Sequence, residues 1–129
     1  MLTLLILIST LNLGGSTVTL DVEVQETRGQ ILVAIYDKEN KFMEDAVMYA
    51  KADVTGKKTR IPLELPDGEY AITIFQDLNN NEELDTNFIG IPSEPYGFSN
   101  NARGQFGPPK YEQCKFEVKG NSTMTVSLF

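Results

Sequence analysis

The sequence predicts an all-β protein, a single antiparallel β-sandwich of about seven strands (Ig-like in class) with one long ordered loop. Three observations carry that expectation. Thr17–Gln25 and Lys57–Leu65 alternate apolar and polar residues with period two. Glu69–Gln76 is a run of β-branched and aromatic residues, E-Y-A-I-T-I-F-Q. Strand-like runs follow one another with Gly, Pro, Asn or Asp signals between them and no long helical periodicity, the pattern of packed antiparallel sheets.

Taken in order, Thr17–Gln25 puts Val18, Leu20, Val22 and Val24 on one face and Thr17, Thr19, Asp21 and Glu23 on the other, which is a half-buried strand. Thr27-Arg28-Gly29 turns the chain into Gln30–Tyr36, so a hairpin is expected here. Asp37–Asn40 is a polar break. In Lys41–Asp53 the spacing of Phe42, Ala46 and Tyr49 predicts a short helix or turn with Phe42 inserted in the core. Val54-Thr55-Gly56 ends it. Ile61, Leu63 and Leu65 then line one face of the next strand. Pro66-Asp67-Gly68 is a turn with a mechanism, since Pro presets φ and Gly accepts positive φ. In Glu69–Gln76, Tyr70, Ile72 and Ile74 share a face. Tyr111–Lys119 and Ser122–Phe129 are the last two strands, joined through Val118-Lys119-Gly120-Asn121.

Asp77 to about Lys110 shows neither period. It holds Gly90, Gly97, Gly104 and Gly107, with Pro92, Pro95, Pro108 and Pro109. A loop of this length in a compact domain is functional or hides an element. Its aromatics, Phe88, Tyr96, Phe98 and Phe106, argue for an ordered segment pinned to the body by its own side chains.

At 129 residues the chain suits one domain. Residues 16–129 are expected to form it. Residues 1–15 read as a signal peptide: the apolar run M-L-T-L-L-I-L-I-S-T-L-N-L is followed by small residues at Gly14, Gly15 and Ser16, although no Lys or Arg precedes it. The run is too short for a stable membrane span. Its alternative is a first core strand. Export to the periplasm, cell surface or medium is the expectation. The formal net charge of −7 argues against a nucleic-acid partner, which calls for a basic patch. The chain contains no His, which removes His-based acid–base catalysis and the Ser–His and Cys–His nucleophile pairs. Its one Cys, Cys114, has no partner for an intramolecular disulfide and reads as a half-buried, inert thiol. The chain is therefore expected not to be an enzyme. A carboxylate-based hydrolase using Asp77, Asp85 or Glu94 is the low alternative.

The chemistry-bearing stretch is D-L-N-N-N-E-E-L-D, Asp77 to Asp85. Asp77, Asn79, Asn81 and Asp85 place oxygens at its first, third, fifth and ninth positions, and alternate residues of a tight loop can turn inward on one point. A hard cation such as calcium takes oxygen ligands from such a set. The stretch is not an EF-hand: Glu82 replaces the turn glycine and Phe88 the bidentate Glu. Glu94 could supply a carboxylate from the next turn, and Glu83 a backbone carbonyl. Two readings stay open, a structural calcium held by Asp77, Asn79, Asn81, Asp85 and Glu94, or a metal-free turn in which Asp and Asn cap the backbone. A second constellation, Tyr96, Phe98 and Asn100 in Y-G-F-S-N-N, joins rings to amides, as a carbohydrate, peptide or protein contact does. Its alternative is that Tyr96 and Phe98 anchor the loop to the sandwich.

The order of these motifs resembles the bacterial domain of unknown function numbered 2141, a group of small, mostly exported proteins. The resemblance is carried by L-P-D-G-E-Y-A-I-T-I-F-Q-D-L-N-N-N-E-E-L-D-T-N-F-I-G-I-P-S-E-P-Y-G-F-S-N-N from Leu65 to Asn101, by G-Q-F-G-P-P-K-Y-E from Gly104, and by G-Q-I-L-V-A-I-Y-D from Gly29. It implies no established activity. The L-P-D-G-E-Y element is also similar to the turn-and-strand of transthyretin-like and carboxypeptidase-regulatory-like sandwiches, and the Asp-rich block to calcium loops of bacterial surface sandwiches. The chain departs from the family at Gln76, where His is usual, so no histidine role carries over. It departs again at Asn80 and Glu82, where Gly is favoured.

Overall fold

The computed structural model describes residues 15–80, 94–105 and 107–129. The expected signal peptide therefore lies almost wholly outside the described residues. Eight strands are assigned within them. These are β1 (Gly15–Glu23), β2 (Gln30–Tyr36), β3 (Met48–Asp53), β4 (Lys58–Pro66), β5 (Gly68–Asp77), β6 (Tyr96–Phe98), β7 (Phe116–Val118) and β8 (Ser122–Ser127). They form two sheets: β4-β1-β8, and β3-β2-β5-β6 with β7 added to β5. The all-β sandwich is as expected.

The alternating segments form strands because their apolar stripes meet. Val18, Leu20 and Val22 of β1 and Ile61, Leu63 and Leu65 of β4 are buried against Ile31, Val33 and Ile35 of β2 and Tyr70, Ile72 and Ile74 of β5. Each such side chain stabilises the fold by roughly 1.5–3 kcal/mol. β5 buries its other face as well. Ala71 joins Phe98, Tyr111 and Cys114 in a second core, with Phe42, Tyr96 and Ala102 packed on it.

The turns fall where the sequence places them, but four of the connections cross between the sheets. The chain crosses from one sheet to the other between β1 and β2, between β3 and β4, between β4 and β5, and between β7 and β8. Among the described strands only β2–β3 and β5–β6 are neighbours both in sequence and in a sheet. A turn signal reverses the chain; which strand becomes the partner depends on where the buried stripe finds its complement. The expected β1–β2 hairpin is thus replaced by a crossover, and β1 pairs antiparallel with β4 and parallel with β8.

Two further expectations are corrected. Within Lys41–Asp53 no helix forms: a 3-10 turn at Glu39–Lys41 precedes it, the expected turn follows at residues 42–44, and the segment ends as β3. Phe42 packs edge-on against Tyr36 and Tyr111, with centroids 5.4 and 5.7 Å away, while Tyr49 stands outward at 73 % exposure. The two rings serve different surfaces, so no common helical face exists. Tyr111–Cys114, expected as strand, is a one-turn helix, α1. Tyr111 and Cys114, three apart, both reach the second core, and the Gln113 side chain accepts the Lys110 N–H at 2.9 Å. The Asp77–Lys110 stretch hides β6 and a 3-10 turn at Ser99–Asn101.

Candidate functional site: the root of the Asp77–Pro109 segment

β5 ends on two polar residues that are fully buried, Gln76 and Asp77. Their side chains leave opposite faces of the strand. Asp77 stands in register with Gln30, and its Oδ2 accepts the Gln30 amide at 3.0 Å. Gln76 continues the inward stripe of Tyr70, Ile72 and Ile74. Its Nε2 donates to the carbonyls of Glu26 and Arg28 at 2.7 and 2.8 Å, tying the β1–β2 crossover to β5. Its Oε1 has no partner among the described residues.

The segment returns at Glu94. Gln76 N–H donates to Pro95 C=O at 2.9 Å, and one step further Leu78 N–H donates to Glu94 Oε2 at 2.8 Å. The carboxylate thus extends the β5–β6 ladder by one rung, which is why Glu94 is only 5 % exposed. Gly29 lies flat on this junction at φ +78°, and a Cβ there would collide with the Asp77 carbonyl oxygen. Arg28 reaches the Leu78 carbonyl at 3.4 Å and Glu26 at 3.2 Å. A concavity of about 400 Å³ opens at the root, lined by Glu26, Arg28, Leu78, Pro95 and Phe129.

Of the five residues expected to hold calcium, the structure brings Asp77 and Glu94 to one root and leaves Asn79 exposed just beyond it. Asn80 adopts φ +58°, a left-handed geometry that Asn tolerates. Asn81 and Asp85 lie outside the described residues. Among the described residues no three His, Cys, Asp or Glu side chains converge as a metal set.

The Y-G-F-S-N-N constellation sits on β6 and the turn after it. Phe98 is in the second core at 4 % exposure. Tyr96 is half-buried, tilted on Phe129 at 4.5 Å and edge-on to Phe98 at 6.0 Å. Arg103 lies over the Phe129 ring at 3.6 Å. The Asn100 amide donates to the carbonyls of Gln113 and Lys115 at 3.3 and 2.8 Å. Asn101 both donates to Thr125 C=O and accepts Ser127 N–H, at 3.1 and 2.9 Å. Buried Ser99 accepts Ile72 N–H at 3.0 Å and donates to Cys114 C=O at 2.5 Å. Sequence reasoning passed over Ser99, Asn101, Gln30 and Gln76 as anchoring groups. For Gln76 a signal existed, an amide at an inward position of an apolar stripe.

A broader apolar concavity of about 620 Å³ lies on the outer face of the five-stranded sheet, among Leu32, Ala34, Tyr36, Tyr49, Thr73 and Phe75. Two titratable groups of the second core, Cys114 and Tyr111, are favoured in their protonated forms. Burial pushes the Cys114 thiol up to about 11. Burial, then the hydrogen bond to Glu69, raises the Tyr111 hydroxyl. On the opposite sheet the Arg60 guanidinium, hydrogen-bonded at 2.9 Å, holds Asp21 below the usual carboxylate range.

Fold and site define a small β-sandwich protein whose long connecting segment is pinned by buried polar side chains where it leaves β5 and where it returns to it. The chain belongs to the DUF2141 family, described as an uncharacterized protein conserved in bacteria, which it matches over residues 21–126. No curated protein and no solved structure matches it.

Proposed function

We propose that the chain is a non-catalytic, exported β-sandwich module that meets a protein, peptide or carbohydrate partner through its Asp77–Pro109 segment, with a calcium ion stiffening that segment. The observation that carries this reading is the return of Glu94 to the residue after Asp77. It brings a second buried carboxylate to the point where the Asx-rich stretch begins. With Asn79, Asn81 and Asp85 these two would give calcium the oxygen-rich shell that it favours. The apolar N-terminal run supports export. The lack of His and a thiol raised by burial support a role without covalent or acid–base chemistry.

One observation favours a metal-free variant. Asp77 Oδ2 already accepts the Gln30 amide and Glu94 Oε2 the Leu78 N–H, so both carboxylates already hold the loop root through hydrogen bonds within the protein. Calcium titration by calorimetry, with melting curves, separates the two. Binding heat that vanishes in Asp77→Ala, with a Tm that rises with calcium, is the expected result. No heat and no shift up to about millimolar calcium, the weak end of extracellular sites, would remove the ion and leave a self-capped loop. The partner is sought on glycan and peptide arrays; a hit whose binding survives Asn79→Ala and Tyr96→Ala together would place the contact elsewhere.

A further inference from the structure

We draw no further inference here: the strongest candidate, the apolar groove among Leu32, Ala34, Tyr36, Tyr49 and Phe75 on the outer face of the five-stranded sheet, carries nothing because nothing in the structure shows what covers it.

Discussion

Ser99 shows what one hydroxyl can do in this fold. β5 meets β6 along Thr73–Phe75 and β7 along Gly68–Tyr70, so Ile72 falls between the two ladders. The Ser99 hydroxyl accepts a hydrogen bond from the Ile72 N–H and donates one to the Cys114 carbonyl. Ser99→Ala leaves both backbone groups buried without that partner, and a loss of about 1–3 kcal/mol is expected by urea unfolding; an unchanged midpoint would show that water replaces the hydroxyl. Gly29 is the second sensitive position. Gly29→Ala adds both positive-φ strain and a collision with the Asp77 carbonyl, and should lower stability by about 2–4 kcal/mol, read by thermal melting. Cys114 is the third. Its folded pKa is raised to about 11 by burial, so the neutral thiol's contribution is complete below its ordinary pKa and is lost as pH rises through about 11. Alkylation by iodoacetamide at about pH 8 should therefore follow unfolding, with rapid labelling only in denaturant; fast labelling of the folded protein would contradict this burial.

At the scale of elements, the legible parts were those governed by periodicity. β1, β2, β4 and β5 coincide closely with the alternating or β-rich runs, because a sheet with one buried face imposes period two. β6, three residues long, was illegible: its Gly97 faces Leu128 and Val126 so closely that a Cβ would sit 2.9 and 3.1 Å from their side chains, and a glycine at an inward position looks like loop. Strand partnership was illegible too. The Pro66-Asp67-Gly68 turn reads the same whether β5 folds back on β4 or crosses to the other sheet. At the site, the return of Glu94 to the start of the Asx-rich stretch was legible as an option, whereas the amides that pin the segment were not, because Gln30, Gln76 and Asn101 act across sequence gaps that no local pattern records. The role of Asn101 gives a prediction. Its side chain binds Thr125 C=O and Ser127 N–H as a neighbouring strand would, which blunts the β8 edge against pairing with other chains. Asn101→Ala should cost about 1 kcal/mol and raise the light scattering of concentrated samples; a variant equally soluble and equally stable would deny the side chain that protective role.

For the whole molecule, β5 is the strand that links the two cores. It lies between β2 and β6, takes β7 at its start, and contributes to both cores. The two sheets are also joined directly at one side. Tyr96 and Phe129 exchange reciprocal backbone hydrogen bonds at 3.1 and 2.9 Å, and Gly97 lets the β8 side chains close over β6. The proposed binding segment therefore departs from, and returns to, the strand that both cores share. An ion or ligand that orders the segment would act on β5 itself, so the calcium titration is expected to move the global Tm rather than a local transition.

The parallel run of β1 beside β8, six registered pairs from Val18–Ser122 to Glu23–Ser127, has a mechanical meaning. Tension that enters at the start of β1 and leaves from the end of β8 drags the two strands past each other, loading their backbone bonds together in shear. Force applied instead at Gln30 and Asp53, which face each other at one end of β2–β3, peels that pair one rung at a time. Single-molecule pulling should record a clearly higher rupture force through Gly15 and Phe129 than through Gln30 and Asp53. Held by its two ends, for instance between a surface and a partner, the domain would then behave as a rigid tether.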